Sequence, residues 1–185
     1  MENIDYLYNL ISKNETTLIG YRFSDERIKD EIISNLGVTK TIDLSSSFSM
    51  KSIIRDMKID QVLNEEKFDY LLLDINDIRN SYIEQRNFTN EDISRAGIIK
   101  NIIDDIRSGL RDNGNDIKLI LTCPLQSNGL NRDNNMIDAF MGGSTPLYYA
   151  DLAMIITQQS NDKVIQVIKN RNGDSDKIIK YDSIK

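Results

Sequence analysis

The chain has 185 residues, of which 29 are acidic and 23 basic, giving a formal net charge of -6 at pH 7. This length suits one domain with a single core, and the absence of histidine excludes Ser-His and Cys-His catalysis, HExxH zinc sites and histidine pH switches. The single cysteine, Cys123, excludes an internal disulfide and a cysteine-rich metal site.

The N-terminal segment has neither the basic region nor the apolar run of a secretory signal. No stretch approaches the roughly 20 apolar residues of a membrane span. We therefore expect a soluble, cytoplasmic protein, and the abundance of Ile and Asn suggests a low-GC bacterium or its phage as the source. The first predicted elements are a short helix over residues 3–12 and a compact strand at Thr16–Tyr21.

The next segments alternate between helical and extended patterns. Ser24-Asp25-Glu26 predicts the N-cap and acidic first turn of a helix that reaches Leu36, with Gly37 as its stop. A second strand is predicted at Thr39–Leu44 and a second helix at Ser49–Leu63. Residues 68–74 form a short apolar run that ends in a carboxylate, which is typical of a strand buried on both faces of a parallel sheet.

The second half of the chain continues the alternation. A long helix is predicted over residues 90–111 and a fourth strand over 116–123, whereas 126–135 and 142–146 have the composition of loops. Two β-runs, at 152–158 and 164–170, flank Ser160-Asn161-Asp162 and predict a hairpin.

Strands that alternate with helices indicate a right-handed, mostly parallel α/β sheet, which the closing hairpin would extend antiparallel. No repeat or linker divides the sequence. We predict a single domain over 1–185, with a helix in residues 1–14 and the core in 15–182.

The order of elements and several local patterns resemble the RecA-like ATPase core, closest to that of DnaB-type replicative helicases. The patterns are Asn131-Arg132, Gly142-Gly143-Ser144, Tyr148-Tyr149-Ala150-Asp151-Leu152-Ala153 and Val167-Ile168-Lys169-Asn170-Arg171-Asn172-Gly173. In that family they match a loop after the fourth strand, a DNA-facing loop, an Ala-Asp strand start and a Lys-Asn-Arg-x-Gly signature. The resemblance covers roughly Thr16 to Tyr181 and implies a three-layer RecA-like fold.

The resemblance places the phosphate-binding loop, or Walker A motif, at Gly20–Arg27, where this sequence departs from G-x-x-x-x-G-K-[ST]. The second glycine and the Gly-Lys pair are missing, and Asp25 and Glu26 stand where phosphates would dock. One like charge at about 4 Å opposes binding by about 4 kcal/mol at an effective dielectric near 20. The residues assigned to the degenerate loop are Gly20, Arg22, Ser24 and Arg27; the two arginines could offset part of this repulsion but cannot replace the missing backbone donors.

Asp74 resembles the carboxylate of a Walker B strand, which holds the Mg²⁺ of a nucleotide; alternatively, it merely ends a buried strand. DnaB-like enzymes carry a catalytic glutamate after the second strand, but Ile42–Ser47 offers only serines and Asp43. Two losses in one site predict no catalytic residue, no cofactor and no resident metal. Mg-ATP would bind only if the chain were a divergent active ATPase.

Lys169 and Arg171 match family residues that project into the neighbouring subunit's site, the arginine-finger role. Alternate residues of a strand share one face, so both could reach one phosphate. The other interpretation is that they are solvated charges on an edge strand. If they act in trans, this protein completes another subunit's site while lacking its own.

The resemblance also suggests single-stranded DNA as a partner. Arg132 could contact phosphates, and Tyr148 and Tyr149 could stack on bases, unless the tyrosines only pack beside a strand.

The leading hypothesis is a RecA-fold pseudo-ATPase that acts through assembly, with itself or with an active RecA-like or helicase subunit, in DNA replication or recombination. The alternatives are a divergent ATPase, helicase or recombinase motor that uses Arg22 or Arg27 in place of the Walker A lysine, and a regulatory module that binds another protein.

Overall fold

The computed structural model describes residues 3–37, 39–42, 68–75, 95–112, 117–125, 140, 144–159 and 162–181. The elements in these ranges are, in chain order, α1 (Ile4–Ser12), β1 (Thr16–Tyr21), a 3₁₀ turn (Phe23–Asp25), α2 (Glu26–Ser34), β2 (Thr39–Thr41), β3 (Tyr70–Asp74), α3 (Arg95–Asp112), β4 (Lys118–Pro124), α4 (Thr145–Tyr149), β5 (Leu152–Gln159), β6 (Asp162–Asn170) and β7 (Ile178–Lys180).

The strands form one sheet in the order β2-β3-β4-β1-β5-β6-β7. The pairs from β2 to β5 are parallel, whereas β5–β6 and β6–β7 are antiparallel. The predicted mostly parallel sheet with an antiparallel C-terminal hairpin is therefore confirmed. The central strand is β1, and all six of its residues are buried.

Helices cover both faces of the sheet, which makes the fold three layers deep. Leu18 of β1 packs in a cluster with Ile103 and Ile106 of α3. Its neighbour Ile19 points the other way, into a cluster with Leu7 of α1 and Ile32 of α2. A strand covered on both faces has no solvent side, which explains why β1, β3 and β4 do not alternate between apolar and polar residues.

The start of α2 corrects one prediction. Ser24 lies within the 3₁₀ turn, and the α-helix begins only at Glu26, after Asp25. Neither Ser24 nor Asp25 supplies a capping side chain: Asp25 makes no capping hydrogen bond, and its carboxylate forms an ion pair with Lys163 instead. Gly37 has a φ of 110°, a left-handed conformation that favours glycine and that suits the predicted stop.

The segment around Pro146 is a second correction. Thr145 and Pro146, predicted as loop, form the first turn of α4, where the missing N–H of proline is tolerated. Tyr148 and Tyr149 accordingly lie in a helix rather than at the start of a strand. The sequence patterns also did not predict β7.

Several predicted elements fall outside the described residues. They are the helix at Ser49–Leu63, the loop at 126–135, Gly142-Gly143 and the first residues of the helix over 90–111. Among the described helices, none is long and apolar enough to cross a membrane.

Candidate functional site

The carboxyl ends of β1, β3 and β4 meet at one edge of the sheet, the edge at which open α/β folds bind ligands. β1 ends at Tyr21, and Arg22 and the 3₁₀ turn connect it directly to α2. β3 ends at Asp74, which is paired in register with Thr122 of β4. The predicted Walker A and Walker B positions are therefore neighbours.

Three side chains form a compact cluster at this edge, the Tyr21–Lys29–Asp74 cluster. Tyr21 Oη donates a hydrogen bond to Asp74 Oδ2 at 3.2 Å. Lys29 Nζ lies 3.9 Å from the same oxygen and 4.6 Å from the centroid of the Tyr21 ring. The lysine side chain is only 9% exposed, although its ammonium also approaches the exposed carboxylates of Glu26 and Asp30.

Tyr21 is fixed as a hydrogen-bond donor. Burial, and then the charge and hydrogen bond of Asp74, raise the pKa of Tyr21 well above its ordinary value. The phenol therefore stays protonated at neutral pH and continues to donate to the carboxylate. One oxygen of Asp74, Oδ2, therefore lies beside both the Tyr21 hydroxyl and the Lys29 ammonium.

Gly20 is explained by packing against the core. A Cβ at this position would lie 2.7 Å from Phe140 Cε1 and 3.0 Å from side-chain atoms of Ile155 and Leu125. Only glycine leaves room for the phenylalanine ring beside β1. The glycine that the sequence places in the degenerate loop thus lies inside a strand, and side chains occupy the space where its Cβ would be.

An acidic side chain stands at the entrance to α2. Asp25 is 1% exposed, and its Oδ1 forms an ion pair with Lys163 of β6. Its second oxygen, Oδ2, is buried and accepts no hydrogen bond from any residue that the structure describes. Arg22, Ser24 and Arg27, the other residues of the degenerate loop, are exposed on this connection.

Sequence reasoning missed two polar residues of this edge. Lys29 precedes Ile32 and Ile33 by three and four positions, so it shares the buried stripe of α2, and a lysine on an apolar stripe was the available signal. Thr122 Oγ1 is buried and has no hydrogen-bond partner among the described residues. No sequence pattern identifies that hydroxyl, because its environment depends on the pairing of β3 with β4.

Lys169 and Arg171, which resemble arginine-finger residues, both contact the end of α4. Lys169 Nζ donates to the carbonyl oxygens of Leu147 and Tyr148, at 2.6 and 3.3 Å. Arg171 donates through Nη2 to Tyr148 O at 2.8 Å and through Nη1 to Asp151 Oδ1 at 3.1 Å. Both cations thereby satisfy carbonyls that a helix end leaves without partners. Burial, followed by the charge of Arg171, lowers the pKa of Lys169.

Asp151 links this region to the central strand. Its Oδ2 accepts from the backbone N–H of Thr16 at 3.1 Å, while Oδ1 binds Arg171. Its own backbone N–H donates to Thr16 O at 2.8 Å. The aspartate that the resemblance treats only as part of a strand start therefore positions both β1 and Arg171.

The predicted DNA contacts fall into different environments. Tyr148 is 71% exposed. Tyr149 is half-buried, and its hydroxyl donates to Asp104 Oδ2 at 3.2 Å. Arg132 lies outside the described residues. Of the two tyrosines, only Tyr148 presents a ring that another molecule could cover without a rearrangement.

Comparison with known proteins extends this description. No protein-family model matches the chain, and no curated protein matches it significantly. The solved structure of a DnaB-like replicative helicase, described with its interactions with primase, is similar with a TM-score of 0.53 and 15% identity. The similarity covers 92% of this chain and 55% of the helicase, so this chain spans about half of that protein.

Two further solved structures give lower scores. One is an isolated ATPase domain, which has a TM-score of 0.49 and 13% identity, over 88% of this chain and 79% of that one. The other, the RadB recombinase, has a TM-score of 0.45 and 9% identity, over 91% of each chain. At the identity of the helicase the likeness establishes the fold alone. This chain has a RecA-like fold, as the sequence predicted.

Proposed function

We propose that this protein is a RecA-fold protein that has lost nucleotide hydrolysis and acts by assembly, with itself or with an active RecA-like subunit, in DNA replication or recombination. The observation that supports the proposal is the Tyr21–Lys29–Asp74 cluster, in which side chains of the chain itself contact one oxygen of the Walker B-like Asp74.

The charges at this edge fit a magnesium nucleotide poorly. In P-loop enzymes Mg²⁺ is held by the Walker A hydroxyl and the Walker B aspartate. A divalent ion at Asp74 Oδ2 would compete with the Tyr21 hydroxyl and lie near the Lys29 ammonium. At about 4 Å and an effective dielectric near 20, a divalent and a monovalent cation repel by about 8 kcal/mol.

The connection after β1 also offers little to a phosphate chain. Gly20 is enclosed by Phe140, Ile155 and Leu125, so its backbone is not presented as a glycine cradle. The carboxylate of Asp25 is buried at the start of α2, where a phosphate would otherwise meet the helix N-terminus. These features support a site that excludes triphosphate.

The surface near Tyr148 supports assembly. Tyr148 exposes 71% of its surface next to Lys169 and Arg171, which contact its carbonyl oxygen. An exposed aromatic side chain beside an arginine has the composition of an interface hot spot. In an assembly the two cations could exchange carbonyl partners for a phosphate in a neighbouring subunit. Single-stranded DNA is the further candidate partner of this surface, through Tyr148. Arg132, which lies outside the described residues, is the other DNA contact that the sequence suggests.

Calorimetric titration with ATP, with and without Mg²⁺, tests the proposal. We expect no measurable binding to the purified protein at about 100 μM nucleotide, because the Lys29 ammonium opposes Mg²⁺ and the buried Asp25 carboxylate opposes the phosphates. A parallel titration of Lys29→Met tests whether the lysine is the obstacle to magnesium. Micromolar affinity of the unaltered protein for Mg-ATP overturns the proposal.

A divergent active ATPase is the second candidate, favoured by one specific contact. Lys29 carries its ammonium to within 3.9 Å of Asp74, which would suit a lysine that has moved along α2 from the Walker A position. ATP turnover that stops in Asp74→Asn and in Lys29→Met, but persists in the exposed control Asp69→Asn, would establish it. A regulatory module would instead bind a protein partner and leave DNA binding absent or insensitive to salt.

A further inference from the structure

We propose that the amino-terminal edge of the sheet carries a binding site for the phosphate of a nucleotide unit, either free or within a single strand. The site is a cleft of about 450 Å³ between the end of α3 and the starts of β1 and β4. It lies at the opposite edge of the sheet from the Tyr21–Lys29–Asp74 cluster, and it does not depend on the function proposed above.

The lining of the cleft is positively charged. Three cations line the cleft, Arg107, Arg111 and Lys118, against a single carboxylate, Glu15. The excess of positive charge occurs on a chain whose net charge is -6. Among the residues that the structure describes, none of the three cations has a carboxylate within ion-pair distance.

The three cations are positioned by backbone carbonyls, which carry no net charge of their own. Arg107 Nη1 donates to Tyr149 O at 3.2 Å, and Arg111 Nε donates to Arg107 O at 3.4 Å. Lys118 Nζ donates to Ser12 O. A guanidinium has five N–H donors and an ammonium three, so each group keeps donors for a ligand. Two arginines with spare N–H groups match the bidentate geometry of phosphate.

The apolar part of the cleft further restricts the chemical class of the ligand. Leu110, Ile117 and Leu119 line it together with the cations. A volume of several hundred Å³ is typical of small-molecule sites, which combine an apolar surface with a few polar groups. A phosphate attached to a base and sugar uses both parts, whereas an inorganic phosphate uses only the cations. Arg111 in the last turn of α3 also complements the helix dipole, but that role does not account for Lys118 on β4.

Fluorescence anisotropy with a labelled oligothymidylate of about 12 nucleotides tests the site. The informative variants are Arg111→Gln and Glu15→Gln, because both side chains are exposed and neither is part of the core. Lys100→Gln on the same helix is the matched control: it removes the same charge about 16 Å away, beyond the Debye length of about 8 Å at physiological salt.

We expect Arg111→Gln to weaken binding by about 5- to 10-fold and to lower the salt slope by about one, as for the loss of one phosphate contact. Glu15→Gln should tighten binding by about 2- to 3-fold, because it removes the one negative charge of the cleft. Lys100→Gln should change the affinity by less than about 1.5-fold. Opposite effects of the two cleft variants would not result from a general loss of structure.

Competition identifies the source of the phosphate. Displacement of the oligonucleotide by millimolar thymidine monophosphate supports a site for a free nucleotide, and its failure at that concentration supports a site for a strand. Equal displacement by polyglutamate of the same charge overturns the proposal in favour of an acidic peptide. No oligonucleotide binding at about 100 μM protein, or equal losses in Arg111→Gln and Lys100→Gln, also overturns it.

Discussion

Replacement of Lys29 by methionine tests whether the Tyr21–Lys29–Asp74 cluster holds together electrostatically. Methionine keeps the apolar stem of the lysine and removes only the ammonium, so Asp74 would lose its ion pair with this residue. The two charges lie 3.9 Å apart, which at an effective dielectric near 20 corresponds to a gross attraction of about 4 kcal/mol. Because the charged groups also lose hydration, we expect a net loss of about 2 kcal/mol in the free energy of unfolding.

Urea and thermal unfolding followed by circular dichroism measure this loss. For a chain of this size, about 2 kcal/mol corresponds to a fall of about 4–8 °C in Tm. Lys100→Met is the matched control, since Lys100 forms an exposed pair with Asp104 at 2.8 Å. Such an exposed pair is screened by solvent and contributes little to stability.

A double-mutant cycle with Asp74→Asn isolates the pair itself. In the Asp74→Asn background, Lys29→Met should be at least about 1 kcal/mol less damaging than in the unaltered protein, because no carboxylate is then left without its cation. Equal losses in the two backgrounds, or a loss no larger than that of Lys100→Met, would refute the electrostatic account of the cluster.

Three further substitutions test the packing, the pH dependence and the assembly of the protein. Gly20→Ala should reduce stability by about 1–3 kcal/mol in urea unfolding, because the new Cβ would approach Phe140 to 2.7 Å. Gly173→Ala, whose new Cβ would meet the end of the half-buried Asn170 side chain at 3.0 Å, should reduce it less. The pKa of Tyr181 is raised from 10.0 to about 12, chiefly by burial and by a hydrogen bond to a carboxylate. Its stabilising contribution is therefore complete below pH 10 and is lost as the pH rises towards 12. Tyr181→Phe should make the fall in stability at alkaline pH shallower, and an unchanged fall would contradict this. Tyr148→Ala should leave the Tm unchanged but weaken self-association or partner binding by about 10-fold or more in sedimentation analysis, and an unaltered assembly would remove this side chain from the interface.

The sequence patterns predicted the parallel strands and the hairpin well because each depends on local composition. β3 is an apolar run that ends in a carboxylate, and such runs in a parallel sheet are covered by helices on both faces. The Lys-Asn-Arg-x-Gly signature lies at the end of β6, and the fold that it suggested is confirmed.

The missed features depend on distant parts of the chain or on very short segments. β7 has only three residues, which is too few for an alternating pattern, and it is defined by its pairing with β6. Asp25 resembled a helix cap, but its carboxylate is engaged by Lys163 of a later strand. Lys29 meets Asp74 only after β1 and β3 have taken their places in the sheet. The local sequence pattern around Lys29 therefore does not predict its contact with Asp74.

Asp151 has a consequence for any subunit that recruits Arg171. The same carboxylate holds the arginine and the first N–H of the central strand. A phosphate that withdrew the guanidinium would leave this acid with a backbone amide as its remaining partner and would loosen the start of β1. Binding of a partner at Arg171 on the surface would thus affect the central strand β1, because the two oxygens of Asp151 contact both.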